Sequence, residues 1–272
     1  MPGTPTGPPA ASADAADAAA SADSAASADS AAYANSADAA APAGLVIAVD
    51  GPSGSGKSSV CREVARRLGL QYLDTGAMYR ALCWWCLQTG VHLVDSDAVA
   101  RAAAVIDLQL GTDPDDLHVR VHGRPVDAFI RTGDISAAVS LVATNLGVRA
   151  EMVRRQQALV AELSTPPAAG VVVEGRDITT VVAPQAPVRV LLTADEDARL
   201  ARRAAEVHGH ADEQTVAATR DQVLRRDADD ATVSSFHTAA DGVVTLDSSV
   251  LTLDQTVEAM LAVVAERVGS PQ

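Results

Sequence analysis

The 272-residue sequence predicts an α/β fold, a parallel sheet flanked by helices with a small inserted α+β segment. Three observations predict it. Short apolar runs alternate with stretches of helical periodicity, the pattern of doubly buried strands joined by crossover helices. A glycine-rich loop ending in Lys57-Ser58 links the first apolar run to the first helical stretch. In the middle of the chain the apolar period changes to two, as in an antiparallel meander.

Residues 1–44 read as a tail of Ala, Ser, Asp, Pro and Gly. Its charges are Asp14, Asp17, Asp23, Asp29 and Asp38, with no basic residue. Too few large apolar groups are present to offset the entropy of ordering it, so solvated disorder, or a start assigned too far upstream, is expected. The globular part is expected over residues 45–268, with 269–272 as a C-terminal tail. Leu45-Val46-Ile47-Ala48-Val49-Asp50 is the first strand, and Val60, Val64 and Leu68 mark one face of the helix that follows. Strands are then predicted at Gln71-Tyr72-Leu73, at Val171-Val172-Val173, over residues 188–192 and over residues 243–246. Helices are expected over 195–207 and 253–268. Between these, Leu108-Gln109-Leu110, residues 117–121 and Pro125-Val126 form the meander, inserted into the α/β core at roughly residues 105–130.

The loop Gly51-Pro52-Ser53-Gly54-Ser55-Gly56-Lys57-Ser58-Ser59 fits G-x-x-x-x-G-K-[ST] without a mismatch. Its glycines let consecutive backbone N–H groups turn inward on phosphate oxygens, and the helix after it presents its positive end. Lys57 is placed to reach β- and γ-phosphates as a point charge, and the Ser58 hydroxyl to coordinate Mg²⁺. Composition points to the same residue. Of the 21 basic residues, Lys57 is the single lysine and the rest are arginines, so position 57 is where a compact ammonium cannot be replaced by guanidinium. A lone lysine also leaves no room for the Asn-Lys-x-Asp signature of guanine-specific GTPases.

Two further clusters carry chemistry. Asp74-Thr75-Gly76-Ala77-Met78-Tyr79-Arg80 puts a capping Asp/Thr and a glycine ahead of a helix bearing Arg80. An arginine there can fork onto a phosphate, although a capped helix with a surface arginine has the same pattern. Glu174-Gly175-Arg176-Asp177 follows a strand, at the edge where α/β sheets bind ligands.

Together with Ile130-Arg131-Thr132 and Arg154-Arg155-Gln156, these motifs resemble, in order, the bacterial cytidylate kinases, and the likeness runs over nearly all of residues 45–267. That resemblance implies an enzyme transferring phosphate from ATP, with Mg²⁺, to CMP and dCMP. It implies an acceptor-binding subdomain over 75–165 and a helical lid over 195–235. It sets Thr75 and Arg80 at the acceptor, Arg80 and Arg131 at its phosphate, and Ser140, Arg149 and Asp177 at the cytosine. Arg176 would neutralise the transferring phosphate, and Arg226 and Asp230 would contact the ribose. Lys57, Arg80 and Arg176 are then the catalytic set. Where the family often continues with Ser-x-Arg, this chain has Ala231-Thr232-Val233, which puts acceptor preference in question. The helix opening at Asp195 clusters Arg199, Arg202 and Arg203. Alone it reads as a solvated face with an Asp195–Arg199 pair, and under the resemblance as the lid closing over ATP.

Composition excludes other classes. A net charge of −14 argues against a nucleic-acid binder resting on a basic surface. The 3% aromatic content offers little for base stacking. Three cysteines do not make a disulfide scaffold, no apolar run approaches the ~20 residues of a membrane span, and no secretory signal is visible. A cytoplasmic monomer is expected. Cys83-Trp84-Trp85-Cys86 reads as buried helix and Glu63–Arg67 as an exposed helix pair. His208, His210 and His237 do not read as a metal site. Two alternatives stay open: another nucleotide kinase, for instance one preferring UMP, and a P-loop module that binds nucleotide without transferring phosphate.

Overall fold

The computed structural model describes Gly3 and residues 44–269, so almost all of the expected tail, and 270–272 at the other end, lie outside the described residues. A five-stranded parallel sheet is ordered β2-β6-β1-β7-β8, from β1 (Leu45–Asp50), β2 (Gln71–Asp74), β6 (Gly170–Gly175), β7 (Val188–Thr193) and β8 (Val244–Asp247). β1 is central. Ile47 pairs with Val172 on one side and Val188 on the other, so this strand needs apolar side chains on both faces. Ile47 and Val49 pack beneath α1 (Lys57–Leu68) and α8 (Leu253–Gly269), against Val60, Val64 and Met260. Ala48 faces the opposite layer, with Val171, Val173 and Val160 of α5 (Leu146–Leu163). Each fully buried Val or Ile here contributes roughly 1.5–3 kcal/mol.

A separate core lies between β2 and β6 in the chain. It joins α2 (Thr75–Gln88), α3 (Ser96–Val105), α4 (Gly133–Ala143) and α5 to an antiparallel sheet of β3 (Leu108–Leu110), β4 (Val119–Val121) and β5 (Arg124–Pro125). The last two strands are joined by His122 (φ 48°) and Gly123 (φ 76°), both left-handed as a tight hairpin demands. Met78, Leu82, Ile130 and Met152 fill this core. Cys83 and Cys86 belong to it. Both are fully buried, and burial pushes their thiols up to about 12 and about 11, as expected for C-x-x-C spacing that serves helix packing. Beyond β7, α6 (Glu196–His208) and α7 (Glu213–Ala231) pack on each other. Asp caps recur at the helix starts: Asp74, Asp95, Asp195 and Asp212 each accept a first-turn N–H. Glu63 and Arg67 pair at 3.2 Å on α1. No helix among the described residues is long and apolar enough to cross a membrane.

Candidate active site

β1 ends in the glycine-rich loop, and close backbone packing there explains its glycines. A Cβ on Gly51 (φ 153°) would lie 2.0 Å from the Leu192 carbonyl oxygen, and one on Gly54 (φ 78°) would lie 2.3 Å from that of Arg199. The loop turns left-handed at Gly56, and α1 starts at Lys57, leaving first-turn N–H groups without helical partners. The Lys57 ammonium curls back to the Pro52 carbonyl at 2.8 Å. Burial, then repulsion from Arg176, pushes that ammonium down to about 8, with Glu174 and Asp227 pulling the other way. Glu174 itself is raised, first by burial and then by Asp74, while Lys57 and the Ser58 hydroxyl favour its charge and Tyr72 donates to it.

Facing the loop, Asp74 gathers the second set of groups. Its carboxylate accepts the Ala77 N–H at 2.9 Å, capping α2, and binds Arg80 at 2.7 Å and Arg131 at 3.0 Å. Burial opposes the charge, but the two guanidinium groups outweigh it and hold Asp74 below the ordinary carboxylate range. The Thr75 hydroxyl donates to the Glu174 carbonyl at 2.7 Å, tying α2 to the end of β6. Asp177 pairs with Arg149 of α5, and burial raises its carboxyl. Arg176 reaches Asp230 at 3.2 Å and lies over the Phe236 ring at 4.3 Å. Arg226 also approaches Asp230, at 3.7 Å, and burial followed by Arg176 lowers it to about 10.

One cleft is lined by both sets. Ser53, Gly54, Gly56, Lys57, Ser58 and Ser59 form one wall. Thr75, Arg80, Arg131, Arg149, Arg176 and Asp177 form another, joined by Arg203, Arg226 and Asp230. Several residues singled out in the sequence are not among its lining: Gly51, Pro52 and Ser55 of the loop, Ser140, Arg199 and Arg202. Ser140 is buried on α4 between Val139 and Ala143, which do line the cleft. Arg202 donates to the Ser248 hydroxyl at 2.9 Å beyond β8, whereas Arg203 reaches the Ser136 hydroxyl of α4 at 3.4 Å.

The solvated Asp195–Arg199 pair does not form. Asp195 uses its carboxylate to cap α6 through Ala198, and Arg199 turns inward to Asp227 and, at 3.0 Å, to the Ser53 carbonyl. Two further carboxylates escaped the sequence reading. Asp50, at the end of β1, accepts the N–H groups of Ile178 and Thr179 at 2.8 Å and the Thr179 hydroxyl at 2.6 Å. It thereby fixes the turn that carries Arg176 and Asp177. Asp227, flanked by the noticed Arg226, bonds Arg176 at 2.8 Å. Asp50 had a local signal, an acid closing a buried strand. Asp227 had none, because its partners are far away in sequence.

The cytidylate kinase family model matches residues 47–266. A cytidylate kinase of Streptomyces avermitilis is 42% identical over 224 residues, covering 82% of this chain and 94% of the relative. That of Cutibacterium acnes is 45% identical over 222 residues, covering 81% and 96%. A third, from Rhodococcus opacus, is 44% identical over 230 residues, covering 84% and 98%. A match spanning both walls of the cleft and the sheet beneath them leaves one conclusion: the chain belongs to the cytidylate kinase family.

Proposed function

We propose that this chain transfers the γ-phosphoryl group of ATP to CMP and dCMP. The observation that carries the reading is the single cleft in which a phosphate loop with its lysine faces a cluster of guanidinium groups. ATP binds with its β- and γ-phosphates on the backbone N–H groups at the start of α1 and on Lys57. The monophosphate binds opposite, its phosphate on Arg80 and Arg131 and its base toward Arg149 and Asp177. Ser140 contributes there through the position of α4, and Arg226 and Asp230 serve the ribose. Residues 75–165 act as the acceptor subdomain and 195–235 as the lid.

The Ser58 hydroxyl and the neighbouring Glu174 carboxyl are hard oxygen donors that would suit Mg²⁺, which would supply charge neutralisation for the triphosphate. Catalysis by the chain's own groups is positioning and charge stabilisation. The transition state is loose, and an acceptor phosphate is already a competent nucleophile, so no strong general base is required. Arg176 and Lys57 face the oxygens on which charge builds, and Arg80 holds the attacking phosphate in line. Closure of the lid excludes water that would otherwise take the phosphoryl group. Both sets of binding groups come from one chain, so a monomer suffices, and the cytoplasm is the compartment proposed for it.

The test is ADP formation from ATP against CMP, dCMP, UMP and AMP. The reading expects CMP and dCMP to be preferred. Preference for UMP or AMP would redirect the substrate assignment, and ATP binding with no ADP from any of the four would leave a nucleotide-binding module.

A further inference from the structure

Asp227 lies on α7 beside Arg226, near Asp230, and belongs to neither wall of the cleft. Its carboxylate is buried, 4% exposed, and is shared by three segments far apart in the chain. One oxygen accepts the Ser53 N–H of the phosphate loop at 3.1 Å and the Arg176 guanidinium at 2.8 Å. The other accepts Arg199 of α6, which also donates to the Ser53 carbonyl at 3.0 Å. Ser53 is therefore gripped at both its N–H and its carbonyl by this carboxylate and its partner. A buried carboxylate costs several kcal/mol in desolvation, and only several charge-assisted donors can offset that.

The consequence for Arg176 is geometric. Its guanidinium has Asp227 and Asp230 on its nitrogens and Phe236 against its face at 4.3 Å, so plane and direction are both set. Asp230 also serves Arg226 and cannot replace Asp227. We propose that Asp227 is a positioning residue: without touching either nucleotide, it locks Arg176 and the phosphate loop into one fixed relative placement. The inference rests on the functional reading above, in which Arg176 meets the transferring phosphate. Misplacing such a group by about 1 Å can cost about 100-fold in rate.

The experiment compares Asp227→Asn and Asp227→Glu with the native chain, measuring kcat per titrated active site and KM for each nucleotide. Asp227→Asn is expected to lower kcat about 100-fold and to weaken ATP about tenfold. KM for CMP should stay within about threefold, because Arg80, Arg131 and Arg149 have other anchors. Asp227→Glu, which keeps the charge on a longer arm, should fall between. In an Arg176→Ala background Asp227→Asn should cost little further kcat, since the two act as a unit. A purely structural role would lower the melting temperature and the active fraction while leaving kcat per active site native, and that result would overturn the proposal. If Asp227→Asn does not fold, Asp227→Glu carries the same test: a several-fold loss of kcat supports it and native kcat overturns it. If the native chain phosphorylates no monophosphate, the functional reading fails instead. Asp227 is then scored on ATP affinity alone, where a tenfold loss supports the inference and no change refutes it.

Discussion

The two walls of the cleft are built by opposite means. The donor wall comes from one continuous loop, within which Ser53, Gly54, Gly56, Lys57, Ser58 and Ser59 line the cleft, and it offers backbone N–H groups and one ammonium. The acceptor wall has no continuous segment. Its guanidinium groups come from α2, α5, α7, the β6 end and the loop before α4; Arg131, Arg149 and Arg176 are held by carboxylates far away in the chain, Arg80 by the cap of its own helix and Arg226 by Asp230 one turn on. The backbone cradle takes its shape from left-handed glycines and the start of α1, with Ser53 anchored from outside by Asp227 and Arg199, and its chemistry is concentrated on one half-buried lysine. The side-chain cradle relies on ion pairs, several of them long-range. Its geometry depends on Asp74, Asp177 and Asp230, with Asp227 behind Arg176.

The largest effect should follow from removing the one irreplaceable cation. Lys57→Ala is expected to lower kcat about 1000-fold or more, since preorganised charge at the transferring phosphate is the main catalytic device. Its melting temperature should hold or rise, because a partly desolvated ammonium with a lowered pKa is unfavourable to the fold. A collapse of the melting transition would show that Lys57 is part of the donor wall's structure.

On the other wall, fork geometry should matter more than charge. Arg80→Lys keeps the positive charge but loses the second nitrogen. It is expected to lower kcat/KM for CMP about 100-fold while KM for ATP changes less than about threefold. Equal losses for both nucleotides would erase the distinction between the walls.

The smallest effect is a pH dependence with a definite side. The ammonium of Lys57 in the free chain lies at about 8, lowered by burial and Arg176, and bound triphosphate stabilises its charged form. Binding ATP therefore takes up a proton above pH 8, and ATP affinity should fall there by at most about tenfold per pH unit. Below pH 7 it should not vary from this source. KM for CMP, whose groups do not include Lys57, should change less than KM for ATP between pH 7 and 9. Calorimetry in buffers of different ionisation enthalpy reads the proton directly.

The same contrast sets how much could be read from the sequence. The parallel sheet was legible because Ile47, Ala48 and Val49 are buried whichever neighbour they meet, and the phosphate loop because its constraint is local. The meander announced itself by its period of two. Arg80 stands out locally, on a capped helix after a strand, whereas Arg131 and Arg149 are pointed to only by resemblance, since nothing in their spacing says that they converge with it. Of the two readings open for Arg199 the solvated face fails: three arginines on an acid-capped helix look exposed, but α6 packs on Gly54 and the first of them turns inward to Asp227. Asp227 was invisible, being one acid in an acidic run.

The central claim is that one cleft holds both phosphate chains end to end. An adenosine and a cytidine joined 5′ to 5′ through five phosphates would span both walls, and its inhibition pattern reads the claim directly. It should be competitive against ATP and competitive against CMP, and bind far more tightly than either. Competition with ATP alone, with CMP unaffected by its presence, would mean that the guanidinium wall is not where the acceptor sits.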